Sequence, residues 1–393
     1  MTPSSTAQSE APNLVDKRAL ARERARVPRP RVRLARFEDY DQIIALEATL
    51  NPDTLSRDDW RMLWLGNPLW PQVSAWWKIG WVLEIPNGEI VGCMGNLPTR
   101  YHFRGEHLMA ASGRGWMVLP EYRAYGSARR LLEAHLHQPS VDFVLDTSVS
   151  QEASERFGFL AKHVPAADWE TIAYFVTGYR AFAARALHKL KVPFAETLAP
   201  AGGIALNLRD TIFGKRFSKH SAFTIEEAGG FDSRFDAFWA ELLRQKSETV
   251  LAARDSATLS WHFAMPMRNS RLWILTASRN RQLRAYAIFE RKDTGEELRR
   301  MRLVDYQTIE QDTDLLEDLL AAALRRCVAE DVCVLDKSGL GLAKMRVFDE
   351  SAPYRRKQPW PFWYRVSNSA FADDLRQPQF WEPTEYDGDA SIS

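Results

Sequence analysis

The sequence predicts an α/β (α+β) chain made of two tandem copies of one domain, each a mixed, mostly antiparallel sheet flanked by helices. Three observations carry this. Apolar residues switch repeatedly between strand-like alternation and helical spacing, in the order strand, helix, three or four meandering strands, helix, strand, helix. The segment Trp81-Val-Leu is echoed by Trp273-Ile-Leu, and Val144-Leu-Asp-Thr-Ser148 by Val334-Leu-Asp-Lys-Ser338, at offsets of 192 and 190 residues. Two anchors that far apart sharing nearly one offset point to duplication. Finally, 393 residues with 45% hydrophobic and 26% charged content are enough for two or three full cores in an ordinary globular composition.

Residues 1–30 run from Ser, Thr, Ala and Pro into Lys17, Arg18, Arg22, Arg24, Arg26 and Arg29, with Pro28 and Pro30 between them, and read as a disordered basic arm. Such an arm can touch RNA or anionic lipid, but Glu10, Asp16 and Glu23 dilute it, which favours a solvated tail. The first domain, 31–165, opens with a strand from Val32 and a helix through Ile43, Ile44 and Leu46. Trp81 to Ile85 and Ile90 to Gly95 flank Asn87-Gly88, a strong hairpin signal. Strands over Arg100–Phe103 and Met109–Leu119 follow, the second stopped by Pro120. A helix over Ser127–His137, a buried strand over Val141–Leu145 and a helix over Gln151–Arg156 complete the unit.

Residues 166–224 read as a connecting helix, Thr171 to Lys191, and a linker punctuated by Pro193, Pro200, Gly202 and Gly203. The second copy, 225–350, has a helix over Phe231–Lys246, strands over Leu283–Phe289 and Arg300–Tyr306, and a helix over Leu315–Cys327. Residues 351–393 form a Pro- and aromatic-rich tail, read as packing on the body and fraying from Glu385 onward.

Charge and cysteine usage exclude several classes. Lys and Arg number 52 against 51 Asp and Glu, so there is no global excess to recruit nucleic acid or a membrane surface. No apolar run is long enough to span a bilayer, and the first thirty residues lack the apolar core of an export signal. Cys93, Cys327 and Cys333 form no Cys-x-x-Cys pair, so neither a disulfide framework nor a metal site is expected, and the reading is cytoplasmic. Oligomeric state is not legible.

The chemistry concentrates in Trp116 to Ala128, WMVLPEYRAYGSA: a strand, a turn with Arg123, then Gly126, Ser127 and Ala128 at a helix start. Small residues at a helix N-terminus expose unpaired N–H groups and the positive end of the dipole, which suits a pyrophosphate. The segment resembles the acyl-CoA motif of the GCN5-related N-acetyltransferase (GNAT) superfamily: Arg or Gln, two residues, Gly, one residue, Gly or Ala, after a turn like Pro120-Glu-Tyr-Arg123. Ala153 and Gly158-Phe159 match the family's next helix. The resemblance covers about Val32 to Val164, and reaches the second half only through the repeat. There Val304-Asp-Tyr-Gln-Thr-Ile-Glu-Gln-Asp has acids where a pyrophosphate would sit.

The resemblance implies an acyl-CoA-dependent N-acyltransferase that uses acetyl-CoA or a longer acyl-CoA and a small-molecule amine acceptor. By carry-over, the backbone at Met117 and Val118 pairs with the pantetheine arm. Arg123, Ala124, Tyr125, Gly126, Ser127 and Ala128 hold the pyrophosphate. The family's frequent Tyr acid falls at Ser154, and Met109 to Leu119 contains no carboxylate for its common base. Asp146 and Ser148 are the best local candidates to activate an amine, although Asp336 and Ser338 repeat them in the copy without the motif, which favours a structural turn. His163 and Glu121 are further candidates. A non-catalytic acyl-CoA-binding protein and an aminoacyl-tRNA-dependent transferase of the same fold remain alternatives. The Trp-rich run Trp60, Trp64, Trp70, Trp76, Trp77 and Trp81 reads as core before acceptor slot.

Overall fold

The computed structural model describes residues 28–49, 54–123, 126–147, 158, 160–213, 217, 223–293, 298–310, 314–358, 362–389 and 391–392, so most of the basic arm lies outside them. Strand β1 (Arg31–Leu34) leads into helices α1 (Tyr40–Ala48), α2 (Arg57–Leu65) and the short α3 (Trp70–Val73). Helix α2 begins where the Ser56 hydroxyl accepts the Asp59 N–H, with Asp58 and Asp59 at the positive end of the dipole. It buries Trp60, Leu63 and Trp64. The indole N–H groups of Trp64 and Trp77 both donate to the Asn96 carbonyl, at 2.8 and 2.9 Å, so these rings belong to the core and form no slot.

Strands β2 (Gly80–Glu84), β3 (Ile90–Phe103) and β4 (Glu106–Val118) form an antiparallel meander. Strand β3 is continuous where two pieces were expected. Pro98 is tolerated in it because β2 pairs only as far as Gly95, and the Pro98 carbonyl already turns off the ladder to accept Asn67 Nδ2 at 2.8 Å. The two-residue loop to β4 places Arg104 and Gly105 at φ of 51° and 80°, as hairpin twist requires. Helix α4 (Ser127–Leu136) then crosses to β5 (Phe143–Asp146), which runs parallel to β4.

After β6 (Lys162–His163) come β7 (Asp168–Val176), α5 (Tyr179–Lys189) and α6 (Ala195–Phe213). The second copy follows with β8 (Thr224–Glu227), α7 (Ser233–Gln245), β9 (Leu251–Ala252), α8 (Ser256–His262) and α9 (Ala264–Arg268). Then come β10 (Leu272–Arg279), β11 (Gln282–Arg291), β12 (Arg300–Thr308), α10 (Asp314–Ala329) and β13 (Val334–Leu340). Helix α11 (Arg346–Ser351), β14 (Tyr354–Lys357) and β15 (Trp363–Val366) close the chain of elements.

The first sheet has the order β1-β2-β3-β4-β5-β15-β6, with β9 added against β3, and the second β8-β10-β11-β12-β13-β7-β14. Strands β8, β10, β11, β12 and β13 repeat β1 to β5 position by position, including the one parallel pair, β12 with β13. The last strands are exchanged. Strand β7, from the end of the first half, pairs with β13, and β15, from the end of the second, pairs with β5.

This exchange corrects two readings of the sequence. The segment Thr171 to Lys191 is helical only from Tyr179. Before that, Asp168–Val176 alternates in burial and carries Thr171, Ile172, Tyr174, Phe175 and Val176, residues that fit a pleated surface, and the Ala-rich helix behind it masked the change of period. Nor is the end of the tail frayed: the tail supplies β14 and β15, and Tyr386, Asp387, Ser391 and Ile392 are buried. One apolar cluster runs from Tyr101, Phe103 and Phe143 through Trp381 and Tyr386 into the second copy, while Ile392 joins the core of the first.

Candidate functional site

Strand β4 runs beside β5 only over Ala110–Ser112; from Gly113 to Val118 it continues on β3 alone, and the parallel strands part. A bulge marks the parting. Cys93 faces Met117 while Gly95 faces Arg114, so β4 carries one residue more than β3. Gly115, at the bulge, takes a φ of 60°, open to glycine at little cost. At Gly113 a Cβ would lie 2.6 Å from Asp146 Oδ2 and 3.1 Å from His135 Nε2. The missing side chain therefore lets a buried carboxylate and a buried imidazole close in beneath the strand. Burial lowers His135 to about 3, so its ring is neutral.

Buried polar atoms gather here without partners. Ser112 Oγ, Arg114 Nε and His135 Nε2 have no hydrogen-bond partner among the described residues, and they flank or underlie Gly113. Atoms of this kind also occur elsewhere in both halves, Thr99 Oγ1, Ser278 Oγ and Ser338 Oγ among them, so these three count only for their place beside Gly113, where a bound group could complete their bonding.

From the other side, α1 brings Glu47, whose Oε1 lies 3.1 Å from the Cβ position of Gly115. Burial pushes the Glu47 carboxyl above the ordinary range, opposed by the Arg114 guanidinium. Sequence reasoning missed this residue because it looked for carboxylates on β4 and β5. A signal was present: an acid in the last turn of a helix opposes the dipole, and Glu47 occupies that place in α1.

The helix that follows starts at a glycine. Gly126 caps α4 in the left-handed region, at φ 69°, and no atom of the described residues beyond its chain neighbours stands within 4 Å of where its Cβ would be. Ser127 and Ala128 are buried against the body, so the first turn presents backbone N–H groups. Arg123 folds back, its Nε donating to the Val118 carbonyl at 3.0 Å. Met117 is half-buried and Val118 buried at the end of β4. Ala124, Tyr125, Ser148 and Ser154 lie outside the described residues. Asp146 ends β5 at the floor of the fork. His163 is brought together with none of these; its ring packs 3.8 Å from that of Trp363, and Glu121 is exposed on the turn before α4.

The tail of the second half closes on this fork. The Thr147 N–H and hydroxyl both donate to Asp389 Oδ1, at 3.2 and 3.0 Å, and Arg114 Nη1 donates to the Ile392 carbonyl at 2.9 Å. Gly388 packs so tightly on Thr147 that a Cβ would fall 2.1 Å from its hydroxyl. Ser391 Oγ meets His262 Nε2 at 2.6 Å; burial lowers that imidazole to about 3, so the contact joins neutral groups.

Solved structures share this fold. The chain superposes on a probable N-acyltransferase of unknown function from Enterococcus faecalis with a TM-score of 0.54 at 12% identity, covering 86% of this chain and 73% of that one. It superposes on a GCN5-related N-acetyltransferase from Anabaena variabilis with a TM-score of 0.51 at 13% identity and the same coverage. For one from Kribbella flavida the TM-score is 0.52 at 11% identity, over 87% and 72% of the two chains. The fold is that of the GCN5-related N-acetyltransferases. No protein-family model and no curated protein matches the sequence.

Within that GNAT fold the second copy has its own fork, and it is filled. Strands β12 and β13 pair over Arg300–Arg302 and then part. Beyond that point Asp305 accepts from Arg254 Nε at 2.9 Å, the Tyr286 hydroxyl at 2.9 Å and the Thr384 hydroxyl at 2.8 Å. Gln307 and Lys344 close the remaining space, and Arg254 also meets Asp387 at 3.0 Å. Asp336, the counterpart of Asp146, is held by Arg300 and Arg302 at 2.8 and 2.7 Å. There it is a buried, ion-paired charge within β13, not a turn residue.

Proposed function

We propose that the chain transfers an acyl group from acyl-CoA to an amine at the fork of the first copy. The observation that supports this most is the coincidence of a bare β4 edge, three orphaned buried polar atoms and a glycine-capped helix start within one fork. In this reading the edge at Met117 and Val118 pairs with the pantetheine amides. The N–H groups at Gly126, Ser127 and Ala128 hold the pyrophosphate, with Arg123 in the turn before them and Ala124 and Tyr125 assigned from the sequence motif alone.

The amine nitrogen bonds to the thioester carbonyl carbon, the carbon–sulfur bond breaks, and the amine gives up a proton. Glu47 is the base that takes it: it is a carboxylate at the bulge, and burial brings its proton affinity closer to neutrality. Asp146 lies under the strand near His135, while Ser148 stays a secondary candidate for activating the amine and Ser154 holds the place of the family's Tyr acid. Bulge residues Gly115 and Trp116, off the β3 register, supply backbone groups toward the developing oxyanion. Holding both reactants in one fork contributes much of the rate.

Calorimetric titration with acetyl-CoA and a long-chain acyl-CoA tests this. Gly126→Trp fills the open space above α4 and also forces a side chain into the left-handed region, so binding is expected to fall below detection while the fold survives. Unchanged binding in the variant, or none in the parent chain, rejects the site.

A further inference from the structure

We infer that the α5–α6 hairpin is a docking device for an anionic membrane surface. Its packing is inside out. The seam between the two helices is made of small residues: Ala183, Ala195 and Ala199 are buried, and Gly203 lies so close that a Cβ would sit 3.0 Å from the Arg180 N. Large apolar side chains point away from it. Leu190 is 73% exposed, Phe194 81%, Ile204 70%, Leu208 59% and Ile212 61%. Leu198, Ala201, Ile204, Leu208 and Ile212 follow one another at three- and four-residue steps and so make one continuous stripe, while Leu190 and Phe194 cap the turn between the helices. Small residues inside and large apolar residues outside is the arrangement of helices whose surroundings are lipid, and an exposed stripe this long marks an interaction surface.

The charges name the occupant. Of the hairpin's two acids, Glu196 is taken by His188 at 2.8 Å, and Asp210 by Arg209 and the hydroxyls of Tyr179 and Tyr354. Arg180, Arg185, Lys189 and Lys191 are exposed and meet no carboxylate among the described residues. Two copies joined along the stripe would bring these cations together, whereas anionic headgroups neutralise them while the apolar side chains enter the acyl boundary. Helix α6 carries Glu196, Pro200, Arg209 and Asp210, and no described helix is long and apolar enough to cross a membrane, so the hairpin lies in the interface plane.

Co-flotation of the full chain with phosphatidylcholine vesicles, with and without phosphatidylglycerol, tests the inference. The chain is expected to float with the phosphatidylglycerol vesicles, less so as salt rises, and to stay behind with phosphatidylcholine alone. Lys189→Glu with Lys191→Glu should weaken partition roughly 30-fold or more, at about 1 kcal/mol per lost cation. Leu190→Ser with Phe194→Ser should abolish it with an unchanged thermal melt, since neither side chain supports the body. Failure to float with anionic vesicles overturns the inference. So does light scattering that shows a dimer broken by Leu208→Glu, which would assign the stripe to a second copy. Neither outcome touches acyl-CoA binding, which is measured separately.

Discussion

At the first fork, Gly113 and Gly115 leave β4 without side chains at two positions just where β5 departs, and three buried polar atoms there have no hydrogen-bond partner among the described residues. At the second, the same topology places Asp305 and Gln307 on β12, and Arg254, Thr384 and Lys344 converge on them, with Asp387 pairing Arg254 from its other side. A parallel pair of strands that part must do something with the exposed edges, and the two copies give opposite answers. One leaves the β4 edge beyond Ser112 without β5 beside it; the other meets the same parting with its own charges. The duplicated fold therefore does not duplicate the surroundings of its fork.

Breaking the filled fork should have the largest effect. Arg254→Met leaves Asp305 and Asp387 buried without their cation, and a loss of about 3–5 kcal/mol is expected in chemical denaturation. Burial pushes Asp305 up, but Arg254 more than offsets it and holds the carboxyl below its ordinary value of 3.8. A depressed carboxylate stabilises above its unfolded value and loses that contribution as pH falls through the folded one. The deficit of the variant is thus expected to be full at neutral pH and to shrink below about pH 4.

At the open fork, Glu47→Gln should cost 10²- to 10⁴-fold in kcat, by order of magnitude for a lost general base. Because burial raises Glu47 above the 4.5 of an ordinary glutamate, the parent's ascending pH limb should lie above that value and vanish in the variant. A retained limb assigns the base elsewhere. Gly113→Ala places a methyl 2.6 Å from Asp146 Oδ2, so about 1–3 kcal/mol of stability should be lost together with acyl-CoA affinity. The smallest effect compares two helix caps. Ser56→Ala before α2 removes one hydroxyl cap and should cost about 1 kcal/mol; Asp255→Ala before α8 should cost more, since Asp255 also pairs with Arg100 across the halves. Equal melting shifts would show that the inter-half pair contributes nothing.

What the sequence made legible follows from how local each signal is. The Asn87-Gly88 hairpin and the Gly126 helix start depend on residues close in the chain, and the structure has both of them. The bulge, the three orphaned atoms and Glu47 depend on α1, β4, α4 and β5 meeting at one point, which no periodicity encodes. Strand exchange was equally hidden: Trp363-Tyr-Arg-Val reads as an aromatic tail until β5 is seen beside it. Even the charge balance misled. A net charge of +1 over the whole chain is compatible with a hairpin whose uncompensated charges all have one sign.

The exchanged strands also set a schedule for biosynthesis. Residues 143–146 find their outer neighbour only when residues 363–366 have been made, and β7 likewise waits for β13. At roughly 5–20 residues per second, the first sheet stays unfinished for some ten to forty seconds on the ribosome, with an apolar edge bare. Neither half can be released as a completed unit ahead of the other. A chain built this way cannot mature vectorially, one domain after another, and a stalled or truncated product would be an immediate client for chaperones.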